Sequence, residues 1–234
     1  MKYATVLFDL DGTLLDTLDD MTDAVNRTMR RFSLPERSRG EIRSFVGNGA
    51  RRLIELASGA EGDRLEKILA DYKADYDANY LVKTAPYPGV MALLMTLRAQ
   101  GRHTGIISNK PDSTVKQLND ALFQGLADIA VGDRAGIRRK PAPDTVLAAM
   151  EALGAKAEET VYVGDSDVDV ATARAAGVPC ISVTWGYRDR DVLAAAGAWS
   201  RVSEGEGGRR RGQGGDRAGC ARLCEPWQDL GFYP

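Results

Sequence analysis

Cysteine is scarce in this chain. There are 3 in 234 residues, an odd number, which argues against a disulfide framework. Long apolar runs are missing too: no stretch approaches the ~18 consecutive apolar residues of a membrane-spanning helix. Neither sign of charge dominates. With 31 Lys and Arg against 33 Asp and Glu, the net charge is −2, without the basic excess that a nucleic-acid binder normally shows. The first apolar run is broken by Asp9 and Asp11, so it does not read as the apolar region of a signal peptide. The expectation is a cytoplasmic protein that binds neither membrane nor nucleic acid.

Hydrophobic residues make up 44% and charged residues 27%, which sets aside wholesale disorder and a collagen-like fibre. At ~150 residues per domain, the length suits one large domain or a large one with a small companion. Such a chain buries roughly 70–75% of its unfolded surface, enough for a core without staples.

Tyr3 to Leu10 holds Thr5-Val6-Leu7-Phe8, a short β-branched and aromatic run ended by Asp-Gly. It reads as a strand, and its near-continuous apolarity favours one covered on both faces. The period then changes. Leu18, Met21, Val25, Met29 and Phe32 recur at three- and four-residue spacing, the stripe of an amphipathic helix. Further helical patterns follow around 41–45, 51–57 and 63–81. Ala85-Pro86-Tyr87-Pro88-Gly89 breaks the pattern and reads as the return linker.

After it, strands and helices alternate. Strands are predicted at 103–108, 127–131, 160–163 and 180–183, and helices at 90–100, 113–122, 145–153 and 168–176. That rhythm implies βαβ units with right-handed crossovers. The expected fold is therefore α/β: a doubly wound, Rossmann-like parallel sheet with an inserted all-helical cap. The core is assigned to residues 1–15 and 86–202, the cap to 16–85, and 203–234 to a Gly/Arg-rich tail without periodicity, expected to be poorly ordered.

Asp9-Leu10-Asp11-Gly12-Thr13 falls at the carboxyl end of the first strand, the edge where open parallel sheets bind ligands. Two carboxylates there are costly to bury unpaired, and a divalent cation removes the difficulty. Oxygen ligands in small number suit Mg²⁺, which keeps waters and takes phosphate oxygens. On its own, an Asp-Gly pair would be only a turn.

Phe8-Asp9-Leu10-Asp11-Gly12-Thr13-Leu14-Leu15-Asp16-Thr17 resembles the first motif of the haloacid dehalogenase superfamily, whose members are mostly phosphatases. Three further motifs follow in order: Ile106-Ile107-Ser108-Asn109-Lys110-Pro111, then Lys140 before Pro141-Ala142-Pro143-Asp144, then Gly164-Asp165-Ser166-Asp167-Val168-Asp169. The resemblance covers about residues 3–200.

It implies that Asp9 attacks phosphorus and forms an aspartyl-phosphate. Asp11 would then act as general acid and base, a role dehalogenase members lack, and Lys140 would neutralise charge between Asp9 and the phosphate. Thr13, Ser108 and Asn109 would serve substrate binding, although Ser108 also suits a helix N-cap. Mg²⁺ would sit on Asp9, Asp165 and Asp11, the last through its backbone carbonyl. Asp169 would either orient metal-bound water or complement a helix N-terminus.

In the cap, Val46-Gly47-Asn48-Gly49-Ala50-Arg51 is a Gly-rich turn before a helix. Gly49 and Arg51 are candidate contacts to an anionic substrate tail, with a plain loop as the alternative. This turn, Ser108-Asn109-Lys110-Pro111 and Thr184-Trp185-Gly186-Tyr187 are similar to phosphoglycolate phosphatases. The implied reaction is 2-phosphoglycolate and water to glycolate and phosphate, in a monomer or homodimer. Pyrophosphatases and phosphosugar mutases of the superfamily are rivals, and a non-catalytic binding protein is a third. Members of that group finish with another strand and helix after Ala198. Gly/Arg-rich text stands there instead, through a change of reading frame or as an extension of its own. Arg209–Arg211 is thin support for polyanion binding, and Cys220 and Cys224 lack the partners of a zinc site. His103 reads as structural.

Overall fold

The computed structural model describes residues 3–200 and 221–224. β1 (Thr5–Phe8) is buried along its whole length, as its unbroken apolar run requires. It pairs in parallel with β4 (His103–Pro111) on one side and β6 (Thr160–Gly164) on the other. With β5 (Ile129–Asp133), β7 (Cys180–Val183), β8 (Ala198–Ser200) and β9 (Ala221–Cys224), these form a seven-stranded sheet in the order β5-β4-β1-β6-β7-β9-β8. Every pairing in it is parallel. The chain runs from β1 outward through β4 and β5, then returns to β6 on the opposite side. β1 therefore marks the point where strand order reverses, and its carboxyl end opens into the crevice where such sheets bind ligands.

The crossovers are α5 (Val90–Ala99), α6 (Asp112–Leu118, continued by a π turn over Asn119–Phe123), α7 (Asp144–Ala152), α8 (Asp167–Ala176) and the short α9 (Arg190–Ala195). Two apolar clusters cover the sheet's faces, one around Phe8, Leu94 and Phe123, the other around Leu7, Ile107 and Tyr162.

Between β1 and α5 lie four helices, α1 (Leu18–Arg31), α2 (Arg39–Phe45), α3 (Gly49–Ser58) and α4 (Gly62–Asn79). Their amphipathic faces enclose a separate cluster that includes Met21, Val25, Met29, Leu53, Ile54, Ile68 and Tyr72. Where the chain leaves the sheet and returns, β2 (Leu15–Asp16) pairs antiparallel with β3 (Ala85–Pro86). Asp20 in α1 reinforces this junction. Its carboxylate accepts the backbone N–H of Val82 (3.1 Å), Lys83 (2.9 Å) and Thr84 (2.8 Å) and the Thr84 hydroxyl (2.8 Å).

Besides the short β2, β3, α9 and β8, which the sequence pattern does not predict, and β5, which lies two residues later than expected, two departures bear on the site and the tail. β4 continues beyond Ser108 to Pro111, with a register shift against β5 between Ile107 and Pro111. The apolar pattern stops at Ser108 because the following residues serve the crevice, and such an irregularity re-aims side chains. Within the 203–234 segment, residues 221–224 form β9 between β7 and β8. The rest of that segment lies outside the described residues. So do the expectations placed on it, namely poor order, the arginine run and the cysteine pair. No described helix is long and apolar enough to cross a membrane.

Candidate active site

The carboxyl ends of β1, β4 and β6 carry Asp9, Ser108 and Asp165 to one place, and the loop before α7 brings Lys140 to it. Lys140 Nζ donates to Asp9 Oδ1 at 2.6 Å, Asp169 Oδ1 at 2.7 Å and the Tyr162 hydroxyl at 3.1 Å. Both Asp9 and Lys140 are buried. Burial works against the lysine's charge, yet Asp169 and Asp9 hold its ammonium protonated well above the ordinary lysine value.

The carboxylates outnumber that one cation. Oxygens of Asp9, Asp165 and Asp169 converge within 4.8 Å of one another. Burial pushes the Asp9 carboxyl well above the usual carboxylate range; Lys140 pulls it back, while Asp169, Asp165 and Asp11 push it further up. Burial and Asp169 push Asp165 up to about 7. A low-dielectric site with excess negative charge and oxygen donors fits a hard divalent cation.

The surrounding backbone is shaped to this cluster. Gly12 has φ +90, and a Cβ there would lie 2.3 Å from Asp165 Oδ2, so a side chain is excluded by conformation and by space. The Tyr187 N–H donates to Asp165 Oδ2 at 2.6 Å. Asp169 sits in the first turn of α8, where its Oδ2 accepts the Ser166 N–H (3.1 Å) and hydroxyl (2.6 Å) in a capping box. Of the two alternatives for Asp169, the helix-terminus role is the one these contacts display: one oxygen caps the helix, and the other holds Lys140.

Above the carboxylates the helical segment encloses a cavity of about 80 Å³, lined by Asp9, Asp11, Ser108, Lys110, Lys140 and Asp165 below and by Val46, Gly49, Leu53, Tyr72 and Tyr76 above. Asp11 Oδ1 accepts from the Thr17 hydroxyl at 2.7 Å and forms an ion pair with Lys110 Nζ at 3.0 Å. Its Oδ2 has no hydrogen-bond partner among the described residues.

Two expectations, on Thr13 and Arg51, need correction. Thr13 does not face the cavity. It is fully buried behind the carboxylates, with its hydroxyl 3.4 Å from both Asp9 Oδ2 and Asp165 Oδ1, and so it orients them. The side chain of Asn109 is engaged by the protein itself: its Nδ2 donates to the carbonyls of Gly47 and Lys140 (3.0 Å each), and its Oδ1 accepts the Lys140 N–H (2.8 Å). It ties the lysine loop to the cap, and the residue lines the cavity alongside Ser108. Arg51 lies on the solvent face of α3 and pairs with Glu66 outside the cavity, because Leu53, Ile54 and Ala57 turn the opposite face inward. Gly49 does line the cavity.

Several residues at the site were missed. Lys110 stands in the motif at 106–111 with no role assigned to it, and Tyr76 falls inside the helical pattern around 63–81 with no sign of a site. Tyr162 falls within the strand predicted at 160–163 and Tyr187 within the resemblance at 184–187, neither with a role at the site, and Arg188 carries no spacing signal. Arg188 donates to the carbonyls of Arg43 and Val46, joining the cap to the loop after β7.

The sequence pattern of the haloacid dehalogenase-like hydrolases matches residues 6–183. The chain is 38% identical over 205 residues to a phosphoglycolate phosphatase of Rhodospirillum rubrum, covering 82% of this chain and 84% of that protein. It is 36% identical over 202 residues to one of Mesorhizobium japonicum, covering 82% and 87%. Among solved structures, a putative phosphoglycolate phosphatase of Lactobacillus delbrueckii subsp. bulgaricus superposes with a TM-score of 0.84 at 28% identity, over 98% of this chain and 97% of that one.

Proposed function

Because this chain belongs to the haloacid dehalogenase-like hydrolases, we propose that it is a divalent-metal-dependent phosphatase acting on a small phosphate monoester, 2-phosphoglycolate before others. The observation that carries the reading is Asp9 at the cavity floor with Lys140 Nζ at 2.6 Å and Asp11 beside it. The names of the relatives at 38% and 36% identity support the choice of substrate.

The chemistry divides into two displacements. An Asp9 oxygen forms a bond to phosphorus while the bond to the leaving oxygen breaks, and the Asp11 carboxyl hands its proton to that oxygen. Asp11, now ionised, takes a proton from water as that water attacks the aspartyl-phosphate. Phosphate leaves and Asp9 is restored. Lys140 offsets charge on Asp9 and the transferring group throughout, with Ser108 as a donor to a non-bridging oxygen. Asp9, Asp165 and the Asp11 carbonyl would hold Mg²⁺, which supplies charge neutralisation of the phosphoryl oxygens.

The cavity favours a compact substrate. At ~10–15 Å³ per water-sized position, its volume of about 80 Å³ accepts a two-carbon ester more readily than a sugar bisphosphate. The test is phosphate release from a panel of esters with and without EDTA. A kcat/KM for phosphoglycolate above that for pyrophosphate is expected. A ratio below one removes the substrate and leaves the class, and an isomerised hexose phosphate as product would point to a mutase.

A further inference from the structure

We infer that Lys110 reads a second anionic group on the substrate, one carbon away from the scissile oxygen. It thereby selects short phosphate esters that carry a carboxylate at that distance. The inference rests on the phosphoglycolate reading and assigns a residue to it.

Lys110 is the cavity's buried cation apart from Lys140, with a side chain only 5% exposed. It follows Ser108 and Asn109 in the irregular end of β4, which aims it into the crevice rather than along the sheet. Its Nζ is held from two sides: it donates to the Tyr76 hydroxyl of α4 at 2.9 Å and lies 3.0 Å from Asp11 Oδ1. The ammonium also lies 4.6 Å from the Tyr76 ring centroid. An ammonium has three donors; the Tyr76 hydroxyl takes one and Asp11 lies within ion-pair distance, which leaves at least one N–H without a partner among the described residues.

The position next to Asp11 sets what this donor can meet. Asp11 works on the oxygen that joins phosphorus to the leaving group. In phosphoglycolate the carboxylate is separated from that oxygen by a single methylene. A cation in contact with Asp11 therefore stands where the carboxylate arrives. Nearby walls of Met21, Leu53 and Tyr72 exclude water and strengthen the attraction. The other candidate cations are less suited. Lys140 is committed to Asp9 and Asp169, the Arg188 guanidinium to the carbonyls of Arg43 and Val46, and Lys73 is exposed.

The experiment compares 2-phosphoglycolate with 2-hydroxyethyl phosphate, the same skeleton with a neutral alcohol in place of the carboxylate, in the wild type, Lys110→Met and Tyr76→Phe. The wild type should prefer phosphoglycolate in kcat/KM by about 10- to 100-fold, the range of one charge-assisted hydrogen bond. Lys110→Met should bring that ratio to within about threefold of one, chiefly by raising KM for phosphoglycolate. Tyr76→Phe keeps the ring and loses only the hydroxyl that fixes the ammonium. It should reduce the preference several-fold and serves as the deciding variant if Lys110→Met does not fold. A preference that survives in the variants overturns the inference alone. A wild type without the preference overturns the substrate reading and the inference with it.

Discussion

One ammonium bridges two carboxylates at the mouth of the sheet: Lys140 Nζ lies 2.6 Å from Asp9 Oδ1, and its second charged contact, to Asp169, is 2.7 Å. The pair couples Asp9, which follows the carboxyl end of β1, to the first turn of α8. Removing the lysine would leave three converging buried carboxylates without their cation.

Lys140→Met is therefore expected to lower kcat by at least ~10³-fold and to lower the melting temperature as well. Asp9→Asn should lose activity to a similar degree while retaining the far-ultraviolet circular dichroism of the wild type. Turnover by Asp9→Asn near the wild-type rate would remove Asp9 as the nucleophile.

Excess negative charge at Asp9, Asp165 and Asp169 predicts linkage between metal and stability. Mg²⁺ at about 100 times its dissociation constant adds about 2.7 kcal/mol, which for a chain of this size raises the melting temperature by roughly 5–10 °C. Asp165→Asn should abolish most of that rise, since Asp165 is a buried member of the cluster. Thermal denaturation with increasing Mg²⁺ reads both, and an equal rise in the variant would show that the ion binds elsewhere.

The junction of cap and core hangs on Asp20, which gathers the backbone donors of Val82, Lys83 and Thr84. With Asp20→Ala these donors lose their acceptor, at ~1–3 kcal/mol for a buried group. A lower melting temperature and faster proteolysis within 81–85 are expected. Unchanged cleavage kinetics would mean that β2 and β3 hold the junction by themselves.

Much of this architecture is legible from local pattern. The run Thr5–Phe8 has to be covered on both faces, and the stripe Leu18–Met29 admits only a helix. The carboxylate of Asp9 could be found because it ends a buried strand, where solvation alone cannot keep it, and Asp165 because the segment 164–169 resembles a family motif. What escapes is set by contacts between distant segments. Lys110 meets Tyr76 only because α4 closes over β4, and nothing within either segment encodes that approach. Arg51 erred differently. Its charge suggested an anion, but the positions of Leu53, Ile54 and Ala57 already place it on the solvent stripe. Thr13 follows a charged motif closely enough to suggest ligand contact, although the turn at Gly12 buries it beneath the carboxylates.

Within the cap, Asp75 on α4 is the acid-sensitive point. Its side chain is 4% exposed and accepts from Arg27 Nε at 2.8 Å and from Arg31, both on α1. Burial opposes its ionisation, but the hydrogen bonds from Arg27 and Arg31 outweigh it and hold the carboxyl below the usual carboxylate range. The folded value is then lower than the unfolded one of about 3.9, so the unfolded chain binds the proton more readily. The stabilisation is fully present above about pH 4 and fades as pH falls through the folded value. Asp75→Asn should lower the melting temperature by several degrees at neutral pH, because two arginines lose a charged acceptor at ~1–3 kcal/mol. The gap between variant and wild type should close on acidification, as both then present an uncharged group to Arg27 and Arg31. Melting curves of the two proteins from pH 7 down to about pH 3 provide the measurement. A gap that persists undiminished at the acid end would assign the effect to packing instead of charge.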